Sequence, residues 1–196
     1  MAPNGGGAFS GRRNLPECPQ SIGAMINGVH HLSLATADLD RFLQFYNGLL
    51  GLPILSRGRI EPGNAPFEAV VGLQGARGSV AHLHAGNVHI EVFNYENPTP
   101  LPGAAFRPCD VGIRHICFDV TDIFGEYLRL KAAGVTFLSE PQAMGDPATG
   151  DYGVKAVYCR DPDNNIVELQ EILSGGVLDK SHVGGIVPAA DAAGRL

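Results

Sequence analysis

Four residues of this 196-residue chain join a metal-ligating or proton-transferring type to a repeated position: His31, Glu91, His115 and Glu168. Each histidine opens a short stretch with strand alternation. Each glutamate sits in a later one, His89-Ile-Glu91-Val-Phe and Ile166-Val-Glu168-Leu. Imidazole and carboxylate together suit iron, nickel, cobalt, manganese or zinc. A single strand histidine is ordinarily a hydrogen-bonded structural residue, and a single strand glutamate ordinarily faces water. The same two types at the same two places of a repeat point elsewhere: to one divalent metal ion held by all four.

The elements that must position these residues come as two copies. His31-Leu-Ser-Leu-Ala-Thr-Ala-Asp38-Leu39 lines up with His115-Ile-Cys-Phe-Asp-Val-Thr-Asp122-Ile123. In both, an aspartate follows the histidine by seven positions, and a helical pattern then stops at Gly51 or Gly134, 20 and 19 residues after the histidine. Alternation puts His31, Ser33 and Ala35 on one strand face and Leu32 and Leu34 on the other; His115, Cys117 and Asp119 likewise oppose Ile116, Phe118 and Val120. Asp38 and Asp122 are natural N-caps. Leu39, Phe42, Leu43, Tyr46 and Leu50 form an apolar stripe of helical period, as do Ile123, Tyr127, Leu130 and, more weakly, Leu128. Strands are expected at Gly78–Ala85, Asn87–Phe93, Val135–Ser139 and Val154–Cys159. The fold class is therefore α+β: two βαβββ modules, about 28–97 and 111–172, forming a curled mixed-sheet cup within one domain spanning 27–173. The Gly- and Pro-rich segments 1–26 and 174–196 carry no hydrophobic period and are expected to be flexible tails.

The His-x-x-hydrophobic-x-x-x-Asp-aliphatic opening, together with the ending Asp161-Pro162-Asp163-Asn164-Asn165-Ile166-Val167-Glu168-Leu169, resembles the vicinal-oxygen-chelate superfamily. That superfamily gathers glyoxalase I, bleomycin-resistance proteins, methylmalonyl-CoA epimerase and extradiol dioxygenases. The resemblance covers about residues 28–172. It implies that His31, Glu91, His115 and Glu168 are the metal ligands, that the substrate is a small molecule, and that the protein is a homodimer. The run Gly78–Tyr95 is most similar to the epimerase pattern. Asn164 stands where the family usually has Gly, and Asn tolerates the left-handed backbone such a turn needs.

The site decides the reaction. Four protein ligands on an octahedral ion leave two positions for neighbouring substrate oxygens. That arrangement serves an isomerase, epimerase or glyoxalase-type lyase, with Glu168 or Glu91 moving a proton beside a carbonyl. His82 and His84 alternate with Ala81, Leu83 and Ala85 and can face the same cavity, which makes His84 a further acid–base candidate. An Fe(II) extradiol-type dioxygenase would instead use His31, His115 and Glu168 with Glu91 turned away, and Tyr158 resembles its active-site tyrosine. No histidine lies between His89 and His115, where such an enzyme keeps an acid–base residue. The arginine and asparagine positions by which glyoxalase I holds glutathione are occupied by Ala35, Tyr95 and Val111. A bleomycin-resistance-like binding protein, which does no chemistry, has no use for the four-residue set.

Composition narrows the setting. A net charge of −6 spread along the chain, with no basic stripe, excludes nucleic acid as an expected partner. No apolar run reaches the roughly 18 residues a membrane span requires, and the first residues lack the apolar core of a secretory signal. Cys18, Cys109, Cys117 and Cys159 are widely spaced, which suits a reducing compartment; a cytoplasmic location is expected. The stretches Ser56–Phe67 and Gln142–Tyr152 are expected to be lids, with Arg57, Arg59 and Arg107 available to an acidic substrate.

Overall fold

The computed structural model describes residues 28–175, apart from 102, 147 and 149–152, together with residue 178. Both terminal tails expected from composition fall essentially outside the described residues.

The elements run β1 (His31–Ala35), α1 (Leu39–Leu43), a π-type segment (Gln44–Leu49), β2 (Ile54–Ile60), α2 (Ala65–Val71), β3 (Arg77–His84), β4 (His89–Asn97), β5 (His115–Asp119), α3 (Ile123–Ala132), β6 (Gln142–Met144), β7 (Val154–Arg160) and β8 (Ile166–Ile172). They build two four-stranded sheets of the same order, β1-β4-β3-β2 and β5-β8-β7-β6. In each, the histidine-bearing first strand pairs in parallel with the glutamate-bearing last strand, and the other pairings are antiparallel. The predicted pair of βαβββ modules is thus the observed architecture, and the two sheets remain separate rather than closing into a barrel.

Asp38 and Asp122 cap their helices as expected, accepting from the backbone N–H of Arg41 and Gly125. Past Leu43 the first helix widens: the Leu50 N–H reaches Phe45 O and the Leu52 N–H reaches Tyr46 O. Phe42, Leu43, Phe45 and Tyr46 are buried, so the widened turn keeps all four on the core side. Burying a side chain of this size contributes roughly 1.5–3 kcal/mol.

Some expectations fail locally. Ser56–Phe67 is not a lid: its first part belongs to β2 and its end starts α2. Cross-strand pairing with β3 from Ile54 to Ile60, with a register shift between Ile54 and Ser56, makes it a strand, although its residues are mostly exposed and so lack a clear hydrophobic alternation. Val135–Ser139 is not a strand; it makes one bridge, Phe137 with Cys159, and β6 forms further on at Gln142–Met144, inside the other presumed lid. Leu128 is exposed while Ile123, Tyr127 and Leu130 are buried, so the α3 stripe is narrower than drawn.

The core is shared. Phe42, Leu43, Phe45 and Tyr46 pack with Ala81, Leu83, Ile90 and Val92 of the first sheet and with Cys159 and Val167 of the second. A smaller cluster of Ile123, Leu130, Val157 and Leu169 sits under α3.

Candidate metal and proton-transfer site

Register places the four residues as the repeat implies. Ser33 is opposite Glu91 across β1 and β4, and Cys117 is opposite Glu168 across β5 and β8. His31 and His115 lie two residues before Ser33 and Cys117, on the same strand face. On the far side of each glutamate, His82 faces Glu91 and Tyr158 faces Glu168.

Within each half the predicted pair is in contact. His31 Nε2 is 3.6 Å from Glu91 Oε2, and His115 Nε2 is 3.1 Å from Glu168 Oε2. The histidines are open to solvent while the carboxylates are covered, with side-chain exposures of 43% and 39% against 20% and 8%. Burial pushes the Glu168 carboxyl above its ordinary value, against the opposing influence of the His115 ring and a Cys117 hydrogen bond. Burial and the Glu168 charge push the Cys117 thiol up to about 12. The Tyr158 ring lies 5.4 Å from that of His115, and burial, then the Glu168 charge, raise its phenol.

Two pairs are formed, but among the described residues no group of three or more His, Cys, Asp and Glu side chains is arranged to hold a metal ion. The chemistry of the donors fits a divalent ion, because each half sets an imidazole nitrogen beside a carboxylate oxygen. Glu91, which the dioxygenase alternative turns away from the metal, lies 3.6 Å from the His31 ring nitrogen and 3.0 Å from that of His82. His84 stands against His89, with ring centroids 5.6 Å apart, and it is His82 that touches Glu91. Arg59 and Arg107 are engaged by Glu96 and Asp110. A shallow depression lined by Phe45, Leu49, Thr136, Arg160 and Asn164 holds none of the candidate residues.

The Asp161-Pro-Asp-Asn-Asn turn that carries the family resemblance works by position. Asp161 is buried and accepts from the Tyr46 hydroxyl (2.9 Å), the Asn165 side chain (2.8 Å) and the backbone N–H groups of Asp163 and Asn165. Asp163 accepts from the Thr36 hydroxyl at 2.6 Å and from Arg41 at 3.0 Å. Asn164 holds φ at 68°, the left-handed conformation expected of it. The turn thereby ties the start of β8 at Ile166, two residues before Glu168 and in register with His115 of β5, to the first helix.

Against known proteins, the model of the glyoxalase/bleomycin resistance protein/dioxygenase superfamily matches residues 28–169. The chain belongs to this superfamily. It is 27% identical over 151 residues to an ethylmalonyl-CoA/methylmalonyl-CoA epimerase of Cereibacter sphaeroides, covering 76% of this chain and all of the relative. It is 26% identical to a mitochondrial methylmalonyl-CoA epimerase of Dictyostelium discoideum, covering 74% of this chain and 79% of that one. A glyoxalase family protein from Bacillus cereus superposes with a TM-score of 0.67 at 19% identity, over 80% of this chain and all of that one, a likeness of fold. Relatives named as epimerases support placing this member of the superfamily among its enzymes.

Proposed function

We propose that this protein is a metal-dependent epimerase, or a glyoxalase-type lyase, that moves a proton beside a carbonyl of a small substrate. The observation that carries this reading is the repeated contact of an imidazole with a carboxylate, His31–Glu91 and His115–Glu168, one pair on each half of the repeat. These four residues would hold the ion. When bound, a divalent metal supplies Lewis acidity that stabilises the oxygen made negative as the proton leaves. The chain's own contribution is the base. Glu168 suits that role because its covered carboxylate is less acidic than an ordinary one, bringing its proton affinity closer to working pH. Glu91 stands on the other half and is the candidate to deal with the opposite face of the same carbon, as inversion requires. Tyr158 closes the Glu168 side of the site.

The names of the relatives make 2-substituted malonyl thioesters the first substrates to try. The test is hydrogen exchange. The protein is loaded with Co²⁺, Ni²⁺, Mn²⁺, Fe²⁺ or Zn²⁺ and incubated in D₂O with methylmalonyl or ethylmalonyl thioesters, then with 2-oxo and 2-hydroxy acids. Deuterium uptake at the carbon next to the carbonyl, dependent on metal and lost in Glu168→Gln, is the expected result. Oxygen consumption with a catechol, and no exchange with any carbonyl compound, would replace it with ring-cleaving chemistry. No metal uptake and no exchange would leave a binding protein. A homodimer belongs to the same proposal and is checked by light scattering.

A further inference from the structure

Glu91 is gripped from the side away from His31. His82 lies opposite it in the β3–β4 register, and His82 Nε2 is 3.0 Å from Glu91 Oε1. An ionised carboxylate can only accept, so Nε2 carries the proton of this bond. The other ring nitrogen, Nδ1, is 2.9 Å from Ser56 Oγ, and Ser56 lies opposite His82 in the β2–β3 register. Three adjacent strands thus contribute one residue each to a line, Ser56–His82–Glu91. The remaining oxygen, Glu91 Oε2, is the one that faces His31 Nε2.

We propose, building on the four-residue reading above, that His82 is a positioning residue. It occupies Glu91 Oε1, turns Oε2 toward His31, and leaves Glu91 a single oxygen to offer a cation, while Ser56 pins the plane of the His82 ring. A glutamate has three torsions to fix, and this one is only partly covered. Without the clamp its carboxylate would visit rotamers in which neither oxygen meets His31. The second half is built differently, since the residue opposite Glu168 is Tyr158. The clamp is therefore a property of one half and not of the repeated scaffold.

The test uses the full-length protein and Co²⁺ as the probe, followed by calorimetry and by the visible absorption of the bound ion. Removing an outer partner of a metal ligand typically weakens binding about 10- to 100-fold. His82→Leu is expected to lose Co²⁺ affinity by about that factor and to shift the absorption band. His82→Gln, which keeps a donor, should recover most of the loss, and Ser56→Ala should lose less than His82→Leu. Thermal melts of the same variants check that each is folded. Wild-type Co²⁺ affinity in His82→Leu, alongside weakened binding in His115→Ala and Glu168→Gln, would overturn the clamp and leave the four-residue site standing. Failure of the four-residue site itself has a different signature: Co²⁺ binding untouched by His115→Ala and Glu168→Gln. In that event the clamp is judged by ¹⁵N NMR of the metal-free imidazoles. A protonated His82 Nε2 whose signal moves in Glu91→Gln supports it, and one that does not move, or a proton found on Nδ1 alone, removes it.

Discussion

The two halves of this protein share a strand order and hold their glutamates by different means. In the first half, Glu91 keeps one fifth of its side-chain surface and is gripped by a ring on the next strand, with a serine behind that ring. In the second half, Glu168 keeps less than a tenth and is surrounded by His115, Cys117 and Tyr158, with burial the dominant influence on its acidity. One copy fixes a carboxylate by hydrogen bonding; the other shelters it from water. A duplicated scaffold thus supplies the same residue type twice while giving each copy different surroundings.

The largest effect that would break this comparison is kinetic. Glu168→Gln should reduce kcat by about 100-fold or more, the usual contribution of a positioned base. Glu91→Gln should lower metal affinity by at least the roughly 10- to 100-fold that loss of an outer partner costs. At saturating metal, as the acid–base candidate for the opposite face, it should reduce kcat by less than Glu168→Gln. Steady-state rates at saturating metal separate the two. Equal losses in kcat would mean that the two glutamates are chemically equivalent despite their surroundings.

Next comes the seam between the halves. Asp161→Ala strands the Tyr46 hydroxyl and the Asn165 side chain and should lower stability by about 3 kcal/mol, whereas Tyr46→Phe removes one bond and should cost about 1 kcal/mol. Urea unfolding measures both. The comparison is sharpened if the transition stays single, because the core is common to both sheets. Two transitions would mean that each half stands alone.

The pH dependence of stability is a finer probe of the sheltered glutamate. In metal-free protein the folded state holds the Glu168 proton more tightly than the unfolded chain, whose value is near 4.5. The group's contribution to stability is complete below that value and is lost as pH rises through the folded value. Glu168→Gln, neutral throughout, should match wild type near pH 4 and have the higher urea midpoint near pH 7. A gap in the opposite direction would mean that partners outweigh burial.

The smallest effect is at the thiols. Cys117 is open at its surface, yet its thiol is pushed up to about 12 by burial of the sulfur and by Glu168. Iodoacetamide at pH 8 should therefore modify exposed Cys109 well before Cys117, as read by peptide mass spectrometry. Prompt labelling of Cys117 would mean that the Glu168 side is less sheltered than its neighbours imply.

Much of this was legible in the residues. The His-plus-seven-Asp repeat located β1, β5 and both helix caps, and Ile-Glu-Val and Val-Glu-Leu located the two glutamate strands, because period-two alternation and N-cap chemistry are local. Asn164 could be assigned a left-handed turn for the same reason. What failed was non-local. β2 has mostly exposed residues and is a strand because of its neighbour β3, so Ser56 passed for part of a lid. Val135–Ser139 has strand composition but only one bridge, Phe137 with Cys159. His82 and His84 are indistinguishable by alternation, and only the register of β3 with β4 sets His82 against Glu91. The Asp161 turn read as a family signature, while its grip on Tyr46, 115 positions away, is visible only in three dimensions.

That grip bears on how the chain is made. Synthesis proceeds at about 5–20 residues per second, and the first half is complete long before Asp161 and Val167 leave the ribosome. Until then Phe42 and Tyr46 lack part of their final cover, since Cys159 and Val167 belong to the same core, and the Tyr46 hydroxyl has no Asp161 to meet. The nascent first half therefore spends several seconds with an aromatic face open to chaperones or to other nascent chains, and the last hairpin to emerge closes it.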